Sequence, residues 1–251
     1  MSRSRLLIAG VALVLAVSVG GYIAYDQVLS GDSVAPLALP STSPEAIPTD
    51  ATASGTTGSS ADPTAAGADG ELAGTWTVAG DSQAGYRVRE RLASLSAESD
   101  AVGRTSDVSG TITLETDGTK TTLTAGTLTV DTTTITSDED RRDDRLRTEG
   151  LETDTFPTAS FTITQPVEVP SIAIDGTATE VTLVGDLELH GVTTSVSIPA
   201  QARLVDGTIE VAGSITFLLS DFEIEAPNVG GFIISIADEG ALEFQVNFAK
   251  A

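Results

Sequence analysis

The heptapeptide LEFQVNF, Leu242–Phe248, decides the fold. Leu242, Phe244, Val246 and Phe248 share one side of an extended chain, and Glu243, Gln245 and Asn247 share the other. Side chains alternate along a strand with a period of two, so the segment reads as a β-strand with one apolar face and one wet face. The same texture recurs upstream. Trp76 and Val78, Ile112 and Leu114, Leu128 and Val130, Phe161 and Ile163, Leu187 and Leu189, and Ile215 and Phe217 each straddle one polar residue. Threonine, valine and isoleucine dominate these runs, as strand packing favours. Asp117-Gly118, His190-Gly191 and Asp206-Gly207 stand between runs as hairpin turns. Eight or more such strands in about 180 residues predict an antiparallel sandwich or a closed barrel, and alternation alone does not choose between them.

One segment departs from the pattern. SDEDRRDDRLRTEG, Ser137–Gly150, is predicted to be a short surface helix. Ser137 is the expected N-cap, with Asp140 reaching back, and Gly150 the expected stop. Acids lead and arginines follow, as the helix dipole favours, and Asp143 and Arg147 stand four apart as an opposite-charge pair. Leu146 and Leu151 are its expected contacts with the sheet, laying the helix across the barrel surface or one mouth.

The chain of 251 residues carries 36 Asp and Glu against 13 Lys and Arg, a formal net charge of −23. Such a surface repels phosphate backbones, which argues against nucleic acid as a partner. There is no cysteine, so disulfides, thiolate nucleophiles and thiolate metal sites are excluded. Arg3 and Arg5 precede Leu6–Tyr25, an uncharged apolar run of a length that matches a bilayer core. Residues 1–26 are therefore expected to be a transmembrane anchor or a cleaved signal. Either outcome places the remainder outside the cytoplasm, at the cell membrane or secreted. Residues 27–70, rich in Pro, Ser, Thr, Ala and Gly, are expected to be a disordered linker. Residues 71–251 form the predicted domain.

Three chemistries are conceivable for these residues. Asp138, Asp140 and Glu149 have the spacing of calcium-loop positions one, three and twelve, but Arg142 stands where a ligand oxygen belongs and Asp143 where glycine must turn. His190 is the single imidazole, no Gly-x-Ser-x-Gly elbow occurs, and LELHGVTTSVSIP reads as strand, turn and strand. Scattered carboxylates are too numerous to single out a glycosidase pair. No enzymatic activity, metal or cofactor is expected.

GTWTV, GYRVRERLASLSAESDAVGRTSDVSGTITLE, the block from Thr127 to Phe161 ending FPTASF, GDLELHGVTTSVSIPA and SDFEIEAP together resemble the successive blocks of the YceI-like family of exported polyisoprenoid-binding proteins. The most specific parts are Arg142, Asp143 and Leu146 followed by Phe156, Pro157, Ala159 and Phe161, and the hairpin of Gly185, Leu187, Leu189, His190, Gly191, Val192 and Thr193. The resemblance implies an eight-stranded, lipocalin-like antiparallel barrel with one short helix, holding an isoprenoid lipid, polyprenyl or quinone-like, in an apolar lumen. Under that reading Trp76, Tyr86, Val88, Ile112, Leu114 and Leu128 line the lumen from the first half of the domain. Val130, Phe161, Ile163, Leu187 and Leu189 continue the wall, and Phe217, Phe222, Phe232, Phe244 and Val246 complete it. Where the family commonly has a histidine-bearing strand, this chain has Tyr86–Glu90, and Arg87, Arg89 and Arg104, with Arg91, are the expected head-group contacts. The rival expectation is a solid, ligand-free barrel that serves as a cell-surface interaction module.

Overall fold

A computed structural model describes residues 34–40, 72–92, 98–117, 120–169, 176–226 and 233–251. The strands are β1 (Gly74–Val78), β2 (Gln83–Leu92), β3 (Glu98–Thr105), β4 (Val108–Asp117), β5 (Lys120–Asp131), β6 (Thr158–Ile163), β7 (Val167–Val169), β8 (Thr179–Leu189), β9 (Val192–Val205), β10 (Thr208–Leu218) and β11 (Ile233–Lys250). One short helix, α1 (Asp140–Arg145), runs into a wider turn over Leu146–Gly150.

These eleven segments make eight staves. β1 pairs β4 and β2 pairs β3 with registers only one residue apart, so β1–β2 and β3–β4 are two bent strands lying side by side. β6 and β7 likewise take successive lengths of β5. The ring runs β1, β4, β5, β6, β8, β9, β10 and β11, and closes where Trp76, Thr77 and Val78 meet Lys250, Ala249 and Phe248. All pairings are antiparallel. Closure decides between the two architectures that the alternation left open, because it leaves the ring without an edge to protect. The turn at Asp81 (φ +61°) bends the first stave, tied by Ser82 Oγ to Ala79 O at 2.7 Å and by Asn247 N to Ser82 Oγ at 3.0 Å.

The hairpins stand where the sequence puts them. His190 and Gly191 have φ of +53° and +75°, and Asp206 and Gly207 have +49° and +78°, the left-handed pairs of two-residue turns. Gly118 lies outside the described residues, but Asp117 pairs Lys120 across it.

Inside the ring, apolar residues form two clusters. One, around Leu72, Trp76, Leu114 and Val246, fills the end nearest β1; the other, around Leu151, Leu189, Phe217 and Phe222, fills the opposite end. The expected apolar segment of residues 1–26 lies outside the described residues, and among those described no helix is long and apolar enough to cross a membrane.

The helix lies across one mouth of the barrel, and its details correct the sequence reading. Glu139, not Ser137, occupies the N-cap, with no side-chain capping bond. Asp143 instead reaches back, accepting from Ser137 N at 3.0 Å and Ser137 Oγ at 2.6 Å, and is buried by doing so. It is therefore no partner for Arg147, which pairs Asp144 three residues away. Asp138 and Glu149 are engaged by Arg142 and Arg145.

Phe222 is 2% exposed and packs edge-on against Phe217 at 6.1 Å, whereas Leu218 is 37% exposed. Phe222→Ala should lower unfolding free energy by about 3–5 kcal/mol in urea titrations, and Leu218→Ala by under about 0.5 kcal/mol.

Candidate functional site

A cavity of about 240 Å³ runs between the two clusters, and a second lobe of about 70 Å³ adjoins it at the β1 end. Its wall is almost wholly carbon. Leu128, Val130, Phe161, Ile163, Ile215 and Phe244 point inward yet are only half-buried. Inward apolar side chains of a solid core would be closed to water, so this partial exposure marks a hollow interior.

The rings that could plug the lumen are held against the wall. Tyr86, Phe217 and Phe244 sit directly opposite Gly103, Gly240 and Gly213 in register. A Cβ on those glycines would lie 2.4 Å from the Tyr86 ring, 2.9 Å from Phe217 and 2.8 Å from Phe244. Gly185, opposite Ile163 in register, lies diagonally beside Phe161, and a Cβ there would come within 2.7 Å of that ring. Each ring thus occupies the space of a missing side chain on the neighbouring strand.

Of the residues expected at the lumen, Tyr86, Val88, Ile112, Leu128, Val130 and Phe161 line the main cavity, as do Ile163, Leu187, Leu189, Phe217, Phe244 and Val246. Leu114 faces the smaller lobe. Trp76 lines neither: it closes the β1 end, its Nε1 donating to Leu72 O at 2.9 Å. Phe222 is packed behind the wall, its carbonyl accepting from His190 Nδ1 at 3.0 Å. That bond and an edge contact with Phe156 at 4.6 Å give His190 a structural place in its turn. Phe232 lies outside the described residues.

The arginines expected at a head group face the other way. Even-numbered residues of β2 line the cavity, so Arg87, Arg89 and Arg91 alternate onto the outer face. Arg87 and Arg89 pair with Asp100 at 3.2 Å each, and Arg104 pairs with Glu243 at 2.7 Å. Glu243, on the polar side of the heptapeptide Leu242–Phe248, is only 3% exposed. Residues 34–40, within the expected linker, lie over it: Leu37 N donates to Glu243 Oε2 at 3.3 Å, Arg87 Nη2 to Val34 O at 2.6 Å, and Arg104 Nη2 to Ala35 O. This part of the linker is a strap on the barrel, because it offers backbone acceptors and one donor to a charge cluster that would otherwise lack them.

Cations do reach the cavity, but from the helix. Arg142 and Arg145 line it at the α1 mouth, together with the buried Glu90. Arg142 Nη2 donates to Glu90 Oε1 at 2.6 Å, and Nη1 to Asp138 Oδ1 at 2.5 Å and Ser137 Oγ at 3.1 Å. Burial works against the Arg142 charge, but the hydrogen bonds to Asp138 and Glu90 outweigh it and hold its pKa above the ordinary value. Both residues carried a signal. Glu90 occupies the apolar register of Tyr86 and Val88, and Arg142 shares a helix face with Leu146, four residues on.

A profile of the YceI-like domain matches residues 76–248. The chain belongs to the YceI-like family. Among solved structures, a polyisoprenoid binding domain from Saccharophagus degradans implicated in plant cell wall breakdown is 20% identical, covers 70% of this chain and 98% of its own, and has the same fold at a TM-score of 0.55. Burkholderia cenocepacia BcnA is 16% identical over 66% of this chain and 95% of its own, with a TM-score of 0.49. The Campylobacter jejuni YceI protein is 17% identical over 59% and 85%, with a TM-score of 0.46. No curated protein matches the chain.

Two measurements test this YceI-like site. Deleting residues 34–40 should lower stability by about 1–3 kcal/mol, since it strips the strap's hydrogen bonds from a half-shielded charge cluster; urea titration reads the change. Burial pushes the Tyr86 phenol above its ordinary value of 10.0, the nearby Arg142 charge opposing it only in part. The folded state therefore keeps the neutral phenol while the unfolded chain ionises it, so this contribution is intact below the unfolded pKa and is lost as pH rises beyond it. Tyr86→Phe should move the alkaline unfolding midpoint to higher pH, followed by circular dichroism.

Proposed function

We propose that this chain is an extracytoplasmic, membrane-tethered binding or carrier protein for an isoprenoid lipid, polyprenyl or quinone-like, whose tail occupies the barrel lumen. The observation that carries the reading is the hollow itself: a continuous, carbon-walled space with inward side chains left half-exposed. Each methylene moved there from water contributes on the order of 0.8 kcal/mol, so a long apolar tail needs shape and dryness rather than many polar contacts. Membership of the YceI-like family and the likeness to a polyisoprenoid binding domain support the tail's chemistry. The basic residues and apolar run ahead of Asp26 support the tether and its orientation. The reading assigns no bond-making chemistry. The rival solid barrel loses ground to the open lumen.

Organic extraction and mass spectrometry of the purified full-length chain should recover a prenyl species near one per protein. Ile215→Trp, which adds bulk to a half-exposed position on the cavity wall, should reduce that yield about tenfold, because displacing two methylenes already removes that much affinity. A lipid-free wild-type chain whose melting temperature ignores added prenyl lipid would end this reading.

A further inference from the structure

The two spaces inside the barrel meet at four aliphatic side chains. Ile112, Leu123, Leu183 and Val211 line both the cavity of about 240 Å³ and the lobe of about 70 Å³. They come from four different staves. β5 and β10, which carry Leu123 and Val211, stand four places apart in the ring of eight and so on opposite walls. Leu123 and Val211 are buried, at 8% and 9% exposure, and belong to one packed cluster, with the half-buried Ile112 and Leu183 against it. The lumen is thus pinched by its own wall where the cluster of the β1 end begins.

The polar groups decide which end of a lipid reaches this point. A head group needs water or hydrogen-bond partners, and both are found at the α1 mouth, where Glu90, Arg142 and Arg145 line the cavity. The lobe behind the pinch offers mainly carbon, from Leu114, Val181, Ala202 and Leu204 among others. Leu72 lines its far side, and Trp76 seals it, the indole tied to Leu72 O at 2.9 Å. An isoprenoid with its head at α1 therefore runs its tail tip against the four side chains. A shorter tail leaves wall atoms without contacts, and a longer one keeps carbons in water at the mouth.

We propose that Ile112, Leu123, Leu183 and Val211 form a collar that stops the tail tip, so that the main cavity alone sets which isoprenoid chain length is held. The lobe is room that the ligand does not use. The inference rests on the lipid-carrier reading and deepens it, naming the residues that choose among tails. The space behind the collar gives it a signature that ordinary wall packing lacks. Trimming the collar joins about 70 Å³ to about 240 Å³, whereas filling the lobe changes nothing while the collar is intact.

The test offers the delipidated full-length chain an equimolar series of prenols, from four isoprene units to eleven, in detergent micelles. The protein is repurified and extracted, and mass spectrometry gives each length's bound share relative to its offered share. The wild type should show an upper limit, with at least a tenfold drop within one unit beyond it, because two methylenes left in water already cost that much affinity. Leu183→Ala, at a half-buried position, should raise the limit by at least one unit, and Val211→Ala, from another stave, should do the same. Ala202→Leu fills the lobe without touching the main cavity. Alone it should leave the wild-type limit unmoved, and combined with Leu183→Ala it should cancel the gain. A wild type without a limit, a limit moved by Ala202→Leu alone, or one unmoved by both collar variants overturns the collar and leaves the lipid-carrier reading standing. Retention of no prenol of any length overturns both.

Discussion

The hollow depends on the packing of four inward aromatic rings against glycines on adjacent strands. Eight strands enclose a space that side chains alone can fill, so a barrel of this size is solid unless its largest residues are kept out of the centre. Tyr86 over Gly103, Phe161 over Gly185, Phe244 over Gly213 and Phe217 over Gly240 achieve this by lowering a ring into the gap where a Cβ is missing. The rings thereby keep their contact with the wall, which stabilises the sheet, and withhold their bulk from the lumen. Any larger residue at these glycines meets a ring or a backbone atom within 3 Å, so the position of the ring and the size of the cavity are set by the same contact.

β2 and β11 show how one strand serves two chemistries. Their inner faces carry Tyr86, Val88, Leu242, Phe244 and Val246 to the lumen, and their outer faces carry Arg87 and Glu243 into a charge cluster closed by Arg104, Asp100 and the 34–40 strap. Where β2 reaches the α1 mouth the separation ends: Glu90 continues the inner register and draws Arg142 in from the helix. That bond joins residues 52 positions apart and ties the helix to the barrel. The strap and the mouth thus lie on opposite faces of the same strand, and both rest on arginine–carboxylate geometry.

Much of this was legible in the sequence, and what was not has identifiable causes. The strands, the His190-Gly191 and Asp206-Gly207 turns and most lumen residues follow from period-two alternation, because that pattern is written locally. Closure into a ring is not local: it requires Trp76 to find Lys250, and a sandwich would have used the same alternation. The outward arginines were misplaced because charge scarcity, rather than strand register, guided the choice; counting from Tyr86 puts Arg87, Arg89 and Arg91 on the opposite face. The N-cap failed because Asp143 offers Ser137 both its backbone and its hydroxyl a partner, a competition that a capping rule applied to Ser137 alone does not contain. Glu243 could not be read as buried, since its cover comes from residues some two hundred positions earlier.

The carbon wall also sets where the binding energy of an apolar tail would come from. An isoprene unit of five carbons gains on the order of 4 kcal/mol on leaving water for a dry wall, whereas one hydrogen bond contributes about 0.5–1.5 kcal/mol net. Under the proposed lipid-carrier reading, affinity would therefore come from how much tail the lumen accepts, and the mouth would add little to it. A buried Glu90–Arg142 pair would be a poor way to strengthen binding, since ion pairs in apolar surroundings gain little beyond their own desolvation. Its effect is positional: it holds α1 across the mouth. Under the proposed reading the cavity would divide its work between two parts: the carbon wall would set how tightly a lipid tail is held, and the Glu90–Arg142 bond would fix the helix at the rim.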